Sequence, residues 1–401
     1  MVLDPVYPPQ PTLVMWDEKY LQYKFSDYHP MHPCRLELTH RLSEQLEVYT
    51  GTNVTMAVPE VATDDQLAKL HARDYIAKVQ QVSADPTQSF TDWGLGTEDD
   101  PVFGGMHEAS ARLFGGSLIA AEAILEERAV RAVNFAGGMH HASRSKASGF
   151  CIYNDVAGAI QRLLDGGVSK IVYIDIDAHH GDGTQSLFWD DDRVLTISIH
   201  ESGLSLFPGT GFANEIGGPG AEGSAVNLAL PAMTGDAGWM RAFHAVVPPL
   251  VKAFAPEVIV SQHGCDGHRD DDMTNLKLSV DAQRQAALDI AQLADEVCEG
   301  RWLATGGGGY NVTGVVPRTW THLTAIAAGR PIPLRTYVPE TFRRHVLETY
   351  GRAVPYLMGD DAQLWWRSWE VGYDPSDPVD RSIMATRKEV FPFHGLDPWF
   401  D

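Results

Sequence analysis

Six short apolar runs recur along the chain, and each ends in glycine or in a residue able to do chemistry. Residues 13–16 lead into Asp17, 132–135 into a Gly-Gly pair, and 171–174 into Asp175. Residues 194–199 lead into His200, 258–260 into Ser261, and 302–304 into four glycines. Runs this short and continuously apolar are the mark of central strands covered on both faces. Helix-like stretches lie between them. One starts near Asp64, where Thr63 and Gln66 have capping-box spacing. Another occupies about 108–127. A third spans about 281–299, with Ser279 near its start and Gly300 just past its end. Strand, loaded loop, helix, repeated, predicts an α/β chain built on a doubly wound parallel sheet. Ligands in such sheets bind beyond the carboxyl ends of the strands. His140, His141, 175–182, His200, 263–266 and Tyr310 all fall at those ends.

At 401 residues the chain has the length of one large α/β domain or two ordinary ones. No linker, repeat or low-complexity segment interrupts it before Arg330. A single domain over 1–401 is therefore expected, with its core at about 13–330. Residues 331–401, rich in proline and carrying Trp365, Trp366, Trp369 and Trp399, read as an extension packed on that core or forming an interface. Cys34, Cys151, Cys265 and Cys298 are scattered without a C-x-x-C pair, which argues against a disulfide framework or a thiolate metal site. No apolar run suits a membrane span, Pro248 and Pro249 interrupting the best one. The beginning of the chain (Asp4, Pro5, Pro8, Pro9, Pro11) lacks the features of a signal peptide, so a reducing cytoplasm is expected. The formal charge of −22 disfavours direct nucleic-acid binding and suits a cationic segment on a partner. Oligomeric state is not legible.

The densest set of potential ligands is Asp175-Ile176-Asp177-Ala178-His179-His180-Gly181-Asp182-Gly183. On extended chain, positions two apart face the same way, so Asp175, Asp177 and His179 project together. Asp177 and His179 offer a carboxylate and an imidazole. A catalytic zinc takes three protein ligands and keeps one position open, and Asp266, after another strand, is the natural third. An oxygen-rich site with one imidazole also suits Fe(II). Buried carboxylates need partners, and one cation satisfies several.

Gly137-Gly138-Met139-His140-His141 follows a separate strand. Adjacent histidines divide labour when their surroundings differ: one holds a proton, the other accepts and returns one. Each then needs a carboxylate on its second nitrogen, and Asp175 and Asp182 are the spare ones. Residues 305–311 end the last strand with four glycines before Tyr310. They permit close backbone approach to a substrate and place a phenol where it can donate to a developing oxyanion.

Together these stretches resemble the histone deacetylase superfamily, class I-like and closest to the bacterial acetoin-utilisation-type deacetylases. The matching stretches run in family order: 29–35, His71 with Tyr75, 98–103, 137–141, 147–155, 175–183, 198–200, 207–211, 262–266 and 306–310. The resemblance covers about 13–325. It implies an arginase/deacetylase-like fold and hydrolysis of N-acetylated amines, above all acetyl-lysine on proteins. It implies zinc on Asp177, His179 and Asp266, with His141 as base and acid supported by Asp182. His140 becomes the electrostatic partner backed by Asp175, and Tyr310 the oxyanion donor. Gly149, Phe150, Phe207 and Gly308 would line the substrate channel, with Asp99 on the rim holding the substrate backbone and Arg35 in an inner cavity through which acetate leaves. A structural potassium ion would sit at Asp175, Asp177, His179, Ser198 and Ile199. Two positions depart from the pattern. Met139 stands where most class I members carry Leu or Trp. Met273 stands at the gatekeeper position, where acetylpolyamine specialists place a carboxylate to hold a second amine. A thioether cannot do that, which argues against polyamines. Three functions follow as expectations: a protein deacetylase, a small-molecule amidohydrolase, or a non-catalytic acyl-lysine binder.

Overall fold

All six apolar runs are strands of one sheet. The computed structural model describes residues 9–401, so the start of the proline-bearing segment (Asp4 to Pro8) lies outside the described residues. In chain order the strands are β1 (Thr12–Met15), β2 (Val54–Ala57), β3 (Arg131–Asn134), β4 (Ile171–Asp175), β5 (Val194–Glu201), β6 (Ala225–Leu230), β7 (Val258–Gln262) and β8 (Trp302–Thr305). They lie in the order β2-β1-β3-β8-β7-β4-β5-β6, every pairing parallel. The inner strands are buried along their whole length, which is why they read as continuous apolar runs. The two edge strands were not expected. β2 has Thr55 and Met56 exposed, and β6 carries Asn227 in its middle.

The helices are α1 (Cys34–Gln45), α2 (Asp64–Leu67), α3 (Arg73–Ala84), α4 (Met106–Leu125), α5 (Asp155–Asp165), α6 (Asp182–Leu187), α7 (Asp236–Phe254), α8 (Val280–Val297), α9 (Val316–Ala327), α10 (Glu340–Tyr350) and α11 (Pro378–Val390). They form two packed series, α3-α4-α5-α6 and α1-α9-α8-α7-α11. The expected long helices are α4 and α8, and Ser279 caps α8 by accepting from Ala282 N at 3.1 Å. The capping box at Thr63 and Gln66 is present, but it opens a single turn. The molecule is thus a single α/β domain with an eight-stranded parallel sheet flanked by helices, consistent with the arginase/deacetylase fold. Among the described residues no helix is long and apolar enough to cross a membrane. All four cysteines are free and buried.

Residues past Arg330 bury apolar side chains on the rest. Val338, Phe342, Val346 and Met358 pack with Leu38, Leu42 and Ala325, and α11 lies on β6 and α7.

Candidate active site

β4 ends in Asp175, and the chain then turns so that Asp177 and His179 face the loop after β7, which carries Asp266. The ligand atoms of Asp177, His179 and Asp266 all lie within 4.8 Å of one another, and all three residues are buried. His179 Nδ1 is 2.9 Å from Asp266 Oδ2 and 3.2 Å from Asp177 Oδ1. A tetrahedral ion about 2.0–2.1 Å from each donor separates donors by about 3.3 Å, so the donor set fits a small divalent cation. Second-layer bonds aim the carboxylates. Asp177 Oδ2 accepts from Gly308 N at 2.7 Å, and Asp266 Oδ1 from Ala178 N at 3.0 Å. Burial, and then the neighbouring Asp177 charge, lifts the Asp266 carboxyl to about 7. Two acids crowded this way, out of water, call for a cation between them.

The histidine pair faces this triad from the loop after β3. Asp155, at the start of α5, accepts from Gly138 N at 3.0 Å and Met139 N at 2.8 Å, which fixes the turn. Gly138 has φ +103°, and a Cβ there would lie 2.6 Å from Gly307 N, so no other residue fits. His140 Nδ1 meets Asp175 Oδ2 at 2.7 Å, and His141 Nδ1 meets Asp182 Oδ1 at 2.7 Å. The two Nε2 atoms are 3.0 Å apart. Burial opposes charge on both rings. For His140 the Asp175 and Asp177 carboxylates overcome it and hold the imidazole at about 9. For His141 burial, reinforced by the charge on His140, leaves it at about 4. The consistent tautomer has His140 Nε2–H donating to His141 Nε2, with the His141 proton on Nδ1 facing Asp182.

Asp99, His141, Gly149, Phe150, His179, Leu206, Phe207, Met273 and Tyr310 line one cavity of about 150 Å³. Phe150 meets the Tyr310 ring edge-on at 5.7 Å between centroids, and Phe207 meets His141 likewise at 5.1 Å. Burial pushes the Tyr310 phenol well above its ordinary range, so it remains a donor. The structure therefore brings together every expected channel residue except Gly308, which lies deeper, against the carboxylates of Asp177 and Asp266. Arg35 Nη1 donates to Gly307 O at 2.9 Å and Gly309 O at 3.2 Å, beside an inner pocket of about 10 Å³ that also touches Met139. That is room for about one water, so acetate passage there requires side chains to move. Of the expected potassium ligands, Ser198 pairs in register with Asp175 across β4 and β5, and Ile199 follows it.

Sequence reasoning missed three supports. Tyr173 Oη donates to Asp175 Oδ2 at 2.7 Å, and its position two residues earlier on the same strand face was the available signal. Glu201 accepts from Asn275 N at 2.8 Å, tying the end of β5 to the loop after β7. Asp271 lies inside a run of three aspartates that reads as a solvated stretch, yet it is buried.

A histone deacetylase domain model matches residues 29–327. The chain belongs to the histone deacetylase family. It is 39% identical over 387 residues to the acetoin utilization protein AcuC of Bacillus subtilis (strain 168), covering 94% of this chain and 98% of the relative. It is 37% identical over 326 residues to AcuC of Staphylococcus aureus (strain MSSA476), covering 80% and 82%. The AcuC of Staphylococcus xylosus is 37% identical over 326 residues, covering 81% and 84%. The family match makes the chain a deacetylase, an amide hydrolase, and its family is metal-dependent. The buried Asp177–His179–Asp266 group is where a metal would bind.

Proposed function

We propose that this deacetylase removes acetyl groups from lysine side chains on proteins, using zinc held by Asp177, His179 and Asp266. The observation that carries the reading is the placing of two imidazoles, each on its own carboxylate, opposite a three-ligand metal triad at the floor of a cavity of about 150 Å³. A bound divalent ion there supplies Lewis-acid polarisation of a carbonyl and acidifies water. The chain's own groups do the rest. His141 Nε2, exchanging its hydrogen bond from His140 for one from the attacking water, takes that water's proton, and Asp182 on Nδ1 stabilises the imidazolium that results. His140, held by Asp175, stays charged beside it. Tyr310 donates to the oxygen on which charge develops. His141 then returns its proton to the departing lysine nitrogen. Phe150, Phe207, Gly149 and Met273 receive the neutral acetylated stem, and a free ammonium pays desolvation on entry. Asp99 holds the substrate backbone at the rim, and Gly308 shapes the floor at the metal carboxylates. Potassium at Asp175, Asp177, His179, Ser198 and Ile199 stiffens the strand ends. Four free buried cysteines accord with a cytoplasmic setting.

The protein substrate is preferred over a small acetylated amine because Met273 puts no charge at the channel mouth for a second amine. The test is a comparison of an acetyl-lysine peptide with an acetylpolyamine, with and without a chelator, after reconstitution with zinc or Fe(II). Peptide turnover that disappears with chelator is expected. A higher kcat/KM on the polyamine would move the assignment to a small-molecule amidohydrolase. Stoichiometric metal without turnover of either substrate would leave only an acyl-lysine binder.

A further inference from the structure

Tyr310 sits at the end of a loop that cannot hold its own shape. Gly307 and Gly309 have φ of +146° and +152°, which only glycine adopts freely, and four consecutive glycines carry no side chain to pack. The aim of the phenol must therefore be fixed from outside the loop. On one side Arg35 binds the carbonyls of Gly307 and Gly309. On the other side, Asp271 Oδ2 accepts from Tyr310 N at 2.7 Å and from Asn311 N at 3.1 Å. Its Oδ1 accepts from Met273 N at 3.1 Å. Asn311 Nδ2 reinforces the same junction by donating to Asp270 O at 3.0 Å. Asp271 is 3% exposed, so water does not substitute for these bonds.

We infer that Asp271 is a positioning residue for the deacetylation step: one buried carboxylate sets the Tyr310 phenol and the Met273 gatekeeper relative to each other. The inference rests on the role given above to Tyr310. One carboxylate meets three backbone N–H donors on two loops. An amide cannot, because its single oxygen serves one side and its NH2 then opposes an N–H on the other. A misplacement of about 1 Å at a reacting group costs up to about a hundredfold in rate.

The experiment uses the full chain, zinc-loaded, with metal content and unfolding midpoint measured for each variant. The variants are Asp271→Asn, Tyr310→Phe and the two combined. Tyr310→Phe is expected to lower kcat on the acetyl-lysine peptide by about 10² to 10³. Asp271→Asn is expected to lower kcat by about ten- to a hundredfold with metal bound and KM nearly unchanged. In the combined variant the second change is expected to add nothing, because there is no phenol left to aim. Backbone hydrogen exchange across 306–313 should rise in Asp271→Asn, a readout independent of turnover. If Asp271→Asn does not fold, Asp271→Glu carries the same cycle, a longer carboxylate keeping the charge and shifting the aim. Losses that multiply in the combined variant, or unchanged exchange across 306–313, overturn the inference. Absence of peptide turnover by the unmodified chain overturns the deacetylase reading instead, while the exchange measurement still decides the role of Asp271.

Discussion

Asp100 shows how an acid next to a substrate channel can be a burden to folding. It is 2% exposed, and its Oδ1 has no hydrogen-bond partner among the described residues. Burial, and then the charge of Asp99, pushes its carboxyl up to about 8. At neutral pH it keeps its proton in the folded chain, whereas in the unfolded chain it ionises near about 4. A group raised in this way contributes stability that is fully present below about pH 4. That contribution falls by roughly 1.4 kcal/mol per unit as pH rises, until the folded carboxyl itself ionises. Asp100→Asn replaces a neutral acid by a neutral amide of the same shape and removes this pH dependence. The variant should therefore gain stability over the parent at pH 8 and much less at pH 5. Urea midpoints of both proteins at the two pH values check this, and an equal difference at both would refute it.

The elements explain which parts of this design could be read beforehand. Inner strands are covered on both faces, so their apolar runs and the loaded residues after them were visible as pattern. The triad and the histidine pair were legible as ligand-rich stretches just after apolar runs, although β4 ends at Asp175 and irregular chain, not strand alternation, places Asp177 and His179. β2 was not, because its exposed Thr55 and Met56 break the apolar pattern, and β6 was not, because the buried Asn227 interrupts its run. Asp271 was not, because only folding brings it to a glycine loop 39 residues away. The glycine loop after β8 has a stricter demand than its sequence suggests. A Cβ at Gly307 would lie 2.8 Å from Gly264 Cα and 2.9 Å from Asp177 Oδ2, at a φ of +146°. Both contacts and backbone are strained by any side chain, the latter at a cost of about 1–3 kcal/mol. Gly307→Ala should lower the unfolding midpoint and also weaken metal retention, since the only side-chain atom among the nearest three is Asp177 Oδ2, of the carboxylate proposed to hold the metal. Dialysis against a graded chelator series, read by metal content, checks the second effect, and retention equal to the parent's would count against it.

The residues after Arg330 are tied into the site by charge as well as by packing. Asp360 accepts from His268 Nε2 at 2.7 Å, from Arg318 Nη1 at 2.8 Å and from Val280 N at 2.9 Å. Its own N–H donates to Asp281 Oδ2 at 2.6 Å. One carboxylate thus joins the loop that carries Asp266, the start of α8 and the buried Arg318 of α9. Further along, Arg387 of α11 donates to Ala245 O, a carbonyl that Pro249 inside α7 leaves without its helical partner. We propose that 331–401 folds as one unit with 13–330 rather than as an appendage. Removing one partner of a buried ion pair costs about 3–5 kcal/mol, because the remaining charge stays out of water. Although burial opposes ionisation, the His268 and Arg318 contacts hold Asp360 below the ordinary carboxylate range. Its contribution is therefore present above about pH 4 and falls away as pH drops below that, opposite in sign to that of Asp100. Asp360→Ala should lose stability of that size at pH 7, and the loss should shrink gradually as pH falls below about 4, because the folded carboxyl stays ionised well into the acid range. Its hydrogen exchange should rise not only around 355–362 but across 266–280, and peptide turnover should fall with it. If exchange rises only in the extension while 266–280 stays protected, the two parts are separable and the site does not depend on this anchor.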